Sequence, residues 1–262
     1  MRLSLIQLTV GSIYEDNLKR SKELLKKSLD HNPNFILFPE CFLFLSNKKK
    51  FSFNMKDQPI TYFKEFSKEN NVNLLLGSLP IKDGDSLYNR SIAIDAKGEV
   101  VSYYDKIHMF DVTLRNNETY KESDTYTPGK HLKTFKIDEI TIGHSICYDL
   151  RFPKLYRALA KKGSQIIVIP SAFTYTTGKA HWNTLVRSRA IENGVYIVAP
   201  NQWGINNEKR STVGHSMVVD PWGNILAEAE DEETILNCVI DINKVDDCQH
   251  SIPVLKHDID LY

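Results

Sequence analysis

Three side chains of complementary chemistry each follow a strand-like run of the sequence. Glu40 follows the apolar run that begins at Phe35, and Lys106 and Cys147 follow two later runs. Because ligands of α/β proteins bind beyond the ends of the strands, the carboxylate, the ammonium and the thiol are predicted to share one edge of the fold. Together they would supply a base, a group that stabilises an oxyanion and a nucleophile, which is a complete set for acyl transfer.

The three groups would divide this chemistry as follows. A thiol is mostly protonated at neutral pH, so we expect Glu40 to take the proton of Cys147. Lys106 and the backbone N–H of Tyr148 would stabilise the tetrahedral oxyanion, where one lost donor typically costs about 3 kcal/mol. This scheme needs a small-molecule amide and water, and it requires no histidine, metal or cofactor.

Each residue also has an ordinary structural interpretation. Glu40 would be a salt-bridged carboxylate, Lys106 a side chain that extends to solvent along its apolar stem, and Cys147 a small buried residue. Cys41, directly after Glu40, is a rival nucleophile or a reduced packing residue. The joint occurrence of all three groups favours the catalytic interpretation.

The segment around Cys147 is predicted to turn sharply between a strand and a helix. A strand-like run begins near Phe135 and ends at Ile142, and Arg151 to Lys161 has helical spacing. Such a junction exposes one side chain at the sheet edge. It also directs the first N–H groups of the helix, with the helix dipole behind them, at the atom that this side chain attacks.

The remaining pattern predicts an α/β fold with two mixed sheets. In the first half we expect strands at Arg2 to Leu8 and Phe35 to Phe38, helices at Asn17 to Leu29 and Tyr62 to Asn70, a strand from Val72 to Leu79 stopped by Pro80, a hairpin of Ser86 to Ile94 with Glu99 to Tyr104, and a long loop from Thr113 to Gly129. In the second half we expect a strand at Gln165 to Ile169, a loop at Ser171 to Gly178, a helix at Ala180 to Asn193, and strands at Val195 to Ala199, Gly214 to Val219, Ile225 to Ala229 and Ile235 to Asp241. The halves repeat one β-α-β-β style, so we predict a four-layer α-β-β-α sandwich with the helices outside.

Composition limits the classes of partner. The 262 residues include 33 Lys+Arg and 33 Asp+Glu, so no global field attracts nucleic acid or an anionic membrane. Residues 1–262 contain no linker-like stretch, which predicts a single domain. The segment from Met1 to Val10 reads as a strand, not a signal peptide, and no apolar stretch approaches a membrane span. We expect a soluble, cytoplasmic protein whose four cysteines are reduced.

Three segments resemble the signature segments of the nitrilase, or carbon-nitrogen hydrolase, superfamily and occur in its order. They are Phe38-Pro39-Glu40, the segment from Asp105 to Asp111, and the segment from Cys147 to Pro153. The resemblance covers almost the whole chain. It implies a nitrilase-like α-β-β-α fold and a homodimer, with residues 252–262 as a C-terminal interface tail. It also implies the roles of general base for Glu40, oxyanion support for Lys106 and nucleophile for Cys147, and a supporting carboxylate at Glu122.

Further segments, including Ala180-His181-Trp182 and Gly214 to Gly223, resemble the Nit branch of this superfamily. That branch contains deaminated glutathione amidase and omega-amidase. The resemblance implies that Arg151, Phe173 and Thr177 hold the 2-oxo acid end of a substrate, and that its distal amide is hydrolysed. We favour deaminated glutathione because the segment 201–204 would receive its Cys-Gly tail. An omega-amidase acting on 2-oxoglutaramate or 2-oxosuccinamate is the alternative. For Arg151, structural pairing with Asp149 or Glu192 stays open.

Other classes of function have weaker support in the sequence. A Cys-His hydrolase would pair Cys147 with His144, His181 or His215, but no histidine is accompanied by an orienting residue. No two histidines have the spacing of metal ligands on one element. A catalytically inactive binding module would be expected to have lost part of the Glu-Lys-Cys set, which is present in full.

Overall fold

The computed structural model describes residues 1–45, 51–114, 118–208 and 210–259. The strands are β1 (Arg2–Gln7), β2 (Phe35–Leu37), β3 (Asn73–Asp83), β4 (Ser86–Ile94), β5 (Val100–Asp105), β6 (Asp111–Thr113), β7 (Thr119–Lys121), β8 (Thr134–Ile137), β9 (Ile140–His144), β10 (Ile166–Val168), β11 (Tyr196–Ala199), β12 (Trp203–Asn207), β13 (Arg210–Val213), β14 (Met217–Val219), β15 (Ile225–Glu228) and β16 (Thr234–Val239). The α-helices are α1 (Tyr14–Ser28), α2 (Gln58–Asn70), α3 (Pro153–Lys161), α4 (Tyr175–Asn193), α5 (Asn243–Ser251) and α6 (Val254–His257). Short 3-10 helices span Leu29–His31, Glu122–Asp124 and Cys147–Arg151.

Two six-stranded sheets form the centre of the fold. Their strand orders are β16-β1-β2-β3-β4-β5 and β15-β14-β11-β10-β9-β8. In each sheet three adjacent strands are parallel and the outer ones are antiparallel, so both sheets are mixed as predicted. Side chains of both sheets share one buried cluster, in which Leu5 and Leu37 of the first sheet lie with Ile166 and Val198 of the second. The sheets therefore pack face to face.

The helices cover the outer faces of the sheets. Leu25 of α1 and Phe63 of α2 belong to the buried cluster on the outer face of the first sheet. Leu159 of α3 and Val186 of α4 belong to the corresponding cluster on the second sheet. Burying one such side chain stabilises the fold by about 1.5–3 kcal/mol, so both clusters hold the helices firmly against the sheets. The predicted four-layer α-β-β-α sandwich is confirmed.

Several local predictions were wrong for reasons of pairing. Pro80 does not stop β3, which continues to Asp83; β2 pairs only as far as Leu75, so the missing N–H of Pro80 costs no bond to β2. The expected loop from Thr113 to Gly129 contains the β6–β7 hairpin. The run near Phe135 is a hairpin of β8 and β9, with Asp138 at φ 51° in its turn.

The second half also departs from the predicted repeat. Strand β16 does not join the second sheet but pairs with β1 in the first sheet. Helix α4 begins at Tyr175, inside the predicted loop. His215 lies before β14 at φ 54°, outside any strand. The hairpin of β12 and β13 was not predicted.

The predicted C-terminal interface tail contains the short helix α6. Helix α6 packs on α3 and α4 of the same chain, where Leu255 adjoins the buried cluster and Asp258 lies 2.6 Å from the ammonium of Lys161. Residues 260–262 of the predicted tail lie outside the described residues. Within the described ranges, no helix combines the length and the apolarity that crossing a membrane requires.

Candidate active site

Cys147 lies on a sharp turn between β9 and the short 3-10 helix that precedes α3. Ile146 is extended, and Cys147 adopts φ 45°, a left-handed conformation that costs an L-residue about 1–2 kcal/mol. Two bonds hold the turn: the N–H of Cys147 donates to the carbonyl of Pro170 (3.0 Å), and the N–H of Ile146 donates to the carboxylate of Asp149 (2.9 Å). The predicted strand-to-helix junction is present. The 3-10 helix Cys147–Arg151 lies within it, so α3 begins at Pro153 and not at Arg151.

Glu40 and Lys106 meet beside this turn, and Glu122 joins them. The Lys106 ammonium donates to Oε1 of Glu40 at 2.8 Å and to Oε2 of Glu122 at 2.8 Å. Oε2 of Glu40 accepts the N–H of Ala172 at 3.0 Å, and the same Oε2 of Glu122 that binds Lys106 also accepts the N–H of Phe110 at 2.7 Å. Lys106 and Glu40 are almost completely buried, at 2% and 5% side-chain exposure. The structural alternative in which Lys106 extends to solvent is therefore wrong.

The charges of this cluster stabilise one another. Burial raises the pKa of Glu40, but the charge of Lys106 and its hydrogen bond outweigh burial, so the pKa ends below its ordinary value. Burial lowers the pKa of Lys106, but Glu122 and Glu40 raise it well above its ordinary value. Burial and the Glu40 carboxylate raise the pKa of the Cys147 thiol. The resting site thus contains a carboxylate, an ammonium and a neutral thiol close to Glu40.

A backbone donor is available next to the thiol. The N–H of Cys147 is bonded to Pro170, and that of Asp149 to the carbonyl of Ile146 (3.0 Å). None of the described residues accepts a hydrogen bond from the N–H of Tyr148 between them. The first N–H groups of a helix lack intrahelical partners, so this one is suited to an oxyanion.

Two supporting residues were missed from the sequence. The amide of Asn89, on β4, donates to Glu40 and to Glu122 at 3.0 Å each, and so fixes their separation. Its signal was an asparagine inside a predicted strand, where this residue is uncommon. Asp149 accepts from the hydroxyl of Tyr104 (2.7 Å) and the N–H of His108 (3.1 Å), which ties the segment after Lys106 to the turn.

These groups open into a cavity of about 300 Å³. One wall is apolar and contains Phe44, Leu45 and Phe51; another follows the chain between residues 119 and 126. Of the predicted substrate-binding residues, Phe173 and Thr177 line the cavity. Arg210, which the sequence analysis did not single out, also lines it.

Arg151 lies beside the cavity and not in its lining. Its guanidinium stands over the ring of Phe173 at 5.2 Å and contacts Nδ1 of His181 at 3.3 Å. The expected alternative partners are occupied elsewhere, because Asp149 serves the turn and Glu192 pairs with Arg189 at 2.8 Å. In the described parts of the chain, Arg151 has no carboxylate partner.

The segment 201–204 does not line the cavity, which corrects the prediction that it receives a substrate tail. Asn201 and Gln202 are fully buried. Asn201 accepts the N–H of Phe173 at 3.0 Å, and Gln202 donates to the backbone carbonyl of Glu40 at 2.6 Å. These side chains hold the backbone of the site in place.

The rival nucleophile and bases have no comparable surroundings. Cys41 also lines the cavity, and burial and the neighbouring Glu40 carboxylate raise the pKa of its thiol to about 12. Its pKa is thus raised for the same reasons as that of Cys147, but its Sγ accepts a hydrogen bond from the hydroxyl of Ser78 at 3.9 Å, whereas Cys147 adjoins the N–H of Tyr148, which donates to none of the described residues. Burial, with a smaller effect of the Lys133 charge, lowers the pKa of His144 to about 3, and its ring lies against Phe135. His181 contacts Arg151, and His215 contacts Glu228 at 3.0 Å. Among the described residues, no imidazole is bonded to Cys147.

The chain is similar to known proteins over nearly its full length. Residues 2–249 match the carbon-nitrogen hydrolase family. The chain is 37% identical to a deaminated glutathione amidase of Dictyostelium discoideum, over 98% of this chain and 93% of that protein. It is 38% identical to the omega-amidase NIT2 of Mus musculus, over 100% of this chain and 96% of that protein.

A solved structure agrees. The C. elegans NitFhit protein superposes with a TM-score of 0.91 at 33% identity, covering 98% of this chain and 64% of that one. Since the fold, the family match and two relatives above 30% identity coincide, the chain belongs to the carbon-nitrogen hydrolase family of enzymes.

Proposed function

We propose that this amidase hydrolyses the distal amide of a 2-oxo acid monoamide through a thioester on Cys147. The observation that carries the proposal is that Glu40, Lys106 and the Cys147 thiol, all buried, line one cavity. Relatives of known activity support amide hydrolysis as the reaction class. The thioester, the roles of the individual residues and the substrate are our inferences.

Acylation begins when Sγ of Cys147 attacks the amide carbon. Because the thiol is neutral at rest, its proton passes to Glu40 as the C–S bond forms. Negative charge develops on the amide oxygen, where the Lys106 ammonium and the N–H of Tyr148 stabilise it. Glu40 then gives the proton to the amide nitrogen, the C–N bond breaks and the amine leaves.

Deacylation reuses the same groups. Water replaces the amine beside Glu40, which takes a proton as the water oxygen attacks the thioester carbon. The C–S bond breaks, Glu40 returns the proton to sulfur, and the carboxylic acid leaves. Glu122 stays bonded to Lys106 throughout, so the ammonium keeps its position while the charge of Glu40 changes.

For the substrate we favour deaminated glutathione, with 2-oxoglutaramate or 2-oxosuccinamate as the alternative. Thr177 and Phe173 are suited to the 2-oxo acid end, and Arg151 would reach it by moving past Phe173. Residues 201–204 do not line the cavity and so favour neither substrate. A different observation supports the larger substrate. Arg210 contacts Ala172 and Arg151 contacts Phe173, and neither arginine has a carboxylate partner among the described residues. Deaminated glutathione carries a carboxylate at each end, so each arginine could bind one of them.

The test compares kcat/KM for deaminated glutathione and 2-oxoglutaramate in the wild type, in Cys147→Ala and in Cys41→Ala. We expect turnover of both compounds, a higher value for deaminated glutathione, loss of activity in Cys147→Ala and retention in Cys41→Ala. A higher value for 2-oxoglutaramate would replace the substrate assignment by omega-amidase. Turnover of neither compound would refute the 2-oxo acid class.

A further inference from the structure

Arg210 brings into the cavity a cation that forms no ion pair with any described residue. It is half-buried at the start of β13, and its guanidinium stands 5.5 Å from the ring centre of Tyr120. One terminal nitrogen donates to the carbonyl of Ala172 at 2.8 Å, while the buried Nε has no partner among the described residues. Within those residues no carboxylate lies in salt-bridge distance of Arg210. A guanidinium with unused donors in a substrate cavity is suited to a carboxylate.

Its position relative to Glu40 indicates which end of a substrate it meets. Ala172 donates its N–H to Glu40 at 3.0 Å and accepts Arg210 at its carbonyl, so one residue bridges the two side chains. In the mechanism proposed above, Glu40 returns a proton to the departing nitrogen. The amine therefore leaves on the Glu40 side of the cavity, which is the side where Arg210 lies.

We propose that Arg210 binds a carboxylate carried by the leaving amine. This inference rests on the proposed function and sharpens it. Arg210 is the residue that distinguishes an amide whose amine ends in a carboxylate, as in deaminated glutathione, from a primary amide that releases ammonia. Arg151 and Thr177 then serve the acyl end, and the two ends of the substrate are read by different cations.

A purely electrostatic role for Arg210 makes a different prediction. The cluster of Glu40, Glu122 and Lys106 has one more carboxylate than ammonium, and the charge of Arg210 contributes to lowering the pKa of Glu40. A counter-charge of this kind would support every substrate equally. If Arg210 binds a carboxylate, its loss slows only those substrates whose leaving amine carries a carboxylate.

The experiment measures kcat/KM for deaminated glutathione, for its C-terminal carboxamide and for 2-oxoglutaramate. The carboxamide has nearly the same shape and lacks only the terminal charge. The proteins are the wild type, Arg210→Gln, Arg210→Lys and the control Arg187→Gln. Arg187 also donates to a backbone carbonyl, that of Gly223 at 2.9 Å, and lies outside the cavity.

We expect the wild type and Arg187→Gln to prefer the acid over its carboxamide by about tenfold or more, the effect of one charge-assisted hydrogen bond. Arg210→Gln should bring this ratio close to one, and Arg210→Lys should keep part of it. A wild-type ratio near one, or an unchanged ratio in Arg210→Gln with all three compounds equally slowed, would overturn the role of Arg210 and leave the proposed function intact. Inactivity of the wild type on all three compounds would overturn both.

Discussion

Replacing Lys106 by methionine is expected to lower both kcat/KM and the free energy of unfolding. Methionine keeps the volume of the stem and removes the ammonium that joins Glu40 and Glu122 at 2.8 Å. Loss of one oxyanion donor costs about 3–4 kcal/mol of transition-state stabilisation, so kcat/KM should fall by about a hundredfold to a thousandfold. Breaking a buried ion pair costs about 3–5 kcal/mol of unfolding free energy, because charged groups remain buried without a partner.

The stability loss should depend on pH in a defined direction. In the wild type the pKa of Glu40 is lowered, so its contribution to stability is present above its ordinary value of 4.5 and is lost as pH falls. Without Lys106, burial becomes the main effect and raises this pKa. The Glu40 carboxyl group then favours the folded state only when protonated. The difference in unfolding free energy between the wild type and Lys106→Met should therefore narrow from pH 7 toward pH 5.

Urea unfolding followed by tryptophan fluorescence at several pH values measures this difference. Lys64→Met is the control, because Lys64 lies 3.8 Å from Glu99 at the surface, where an ion pair contributes only about 0–1 kcal/mol. If Lys106→Met keeps near-normal kcat/KM, or if its stability deficit widens as pH falls, the account of the buried cluster is refuted.

Three further predictions concern residues around the site and the surface. Asn89→Leu should lower kcat by about tenfold to a hundredfold, because two charge-assisted bonds of 3.0 Å are lost; steady-state kinetics that show a change in KM alone would count against it. His144, whose pKa burial lowers to about 3, should destabilise the fold as pH drops below about 6.5, since the unfolded chain binds a proton that the folded chain excludes. His144→Phe should weaken that acid dependence in urea titrations, and an unchanged slope would contradict this. We propose a homodimer, as the family resemblance implies, in which Ile191 and Trp222, exposed at 50% and 57% on either side of Gly223, are covered; light scattering that finds a stable monomer would refute it.

The site was predictable where its residues follow local patterns. Lys106 comes directly after β5, whereas Glu40 and Cys147 lie three residues beyond the ends of β2 and β9. That context can be read from apolar runs. Both the layer order and the hairpin of β4 and β5 follow from the same local signals.

Long-range pairing accounts for what the sequence did not reveal. Arg210 is held by the carbonyl of Ala172, 38 residues away, and Asn89 by two carboxylates from distant segments. Strand β16 pairs with β1, at the edge of the first sheet. The sequence pattern of β16 does not indicate which of the two sheets it joins. Arg151 was assigned to the substrate by its position in a motif, whereas its ring contacts depend on the packing of Phe173.

The covalent intermediate on Cys147 is the central claim, and mass analysis after rapid acid quenching tests it most directly. With deaminated glutathione or 2-oxoglutaramate in excess, the peptide that contains Cys147 should gain the mass of the same 2-oxo diacid acyl group from either compound. Cys147→Ala should gain none, and Cys41→Ala should behave as the wild type. An acyl adduct on the peptide that contains Cys41, or full turnover by Cys147→Ala, would contradict the mechanism.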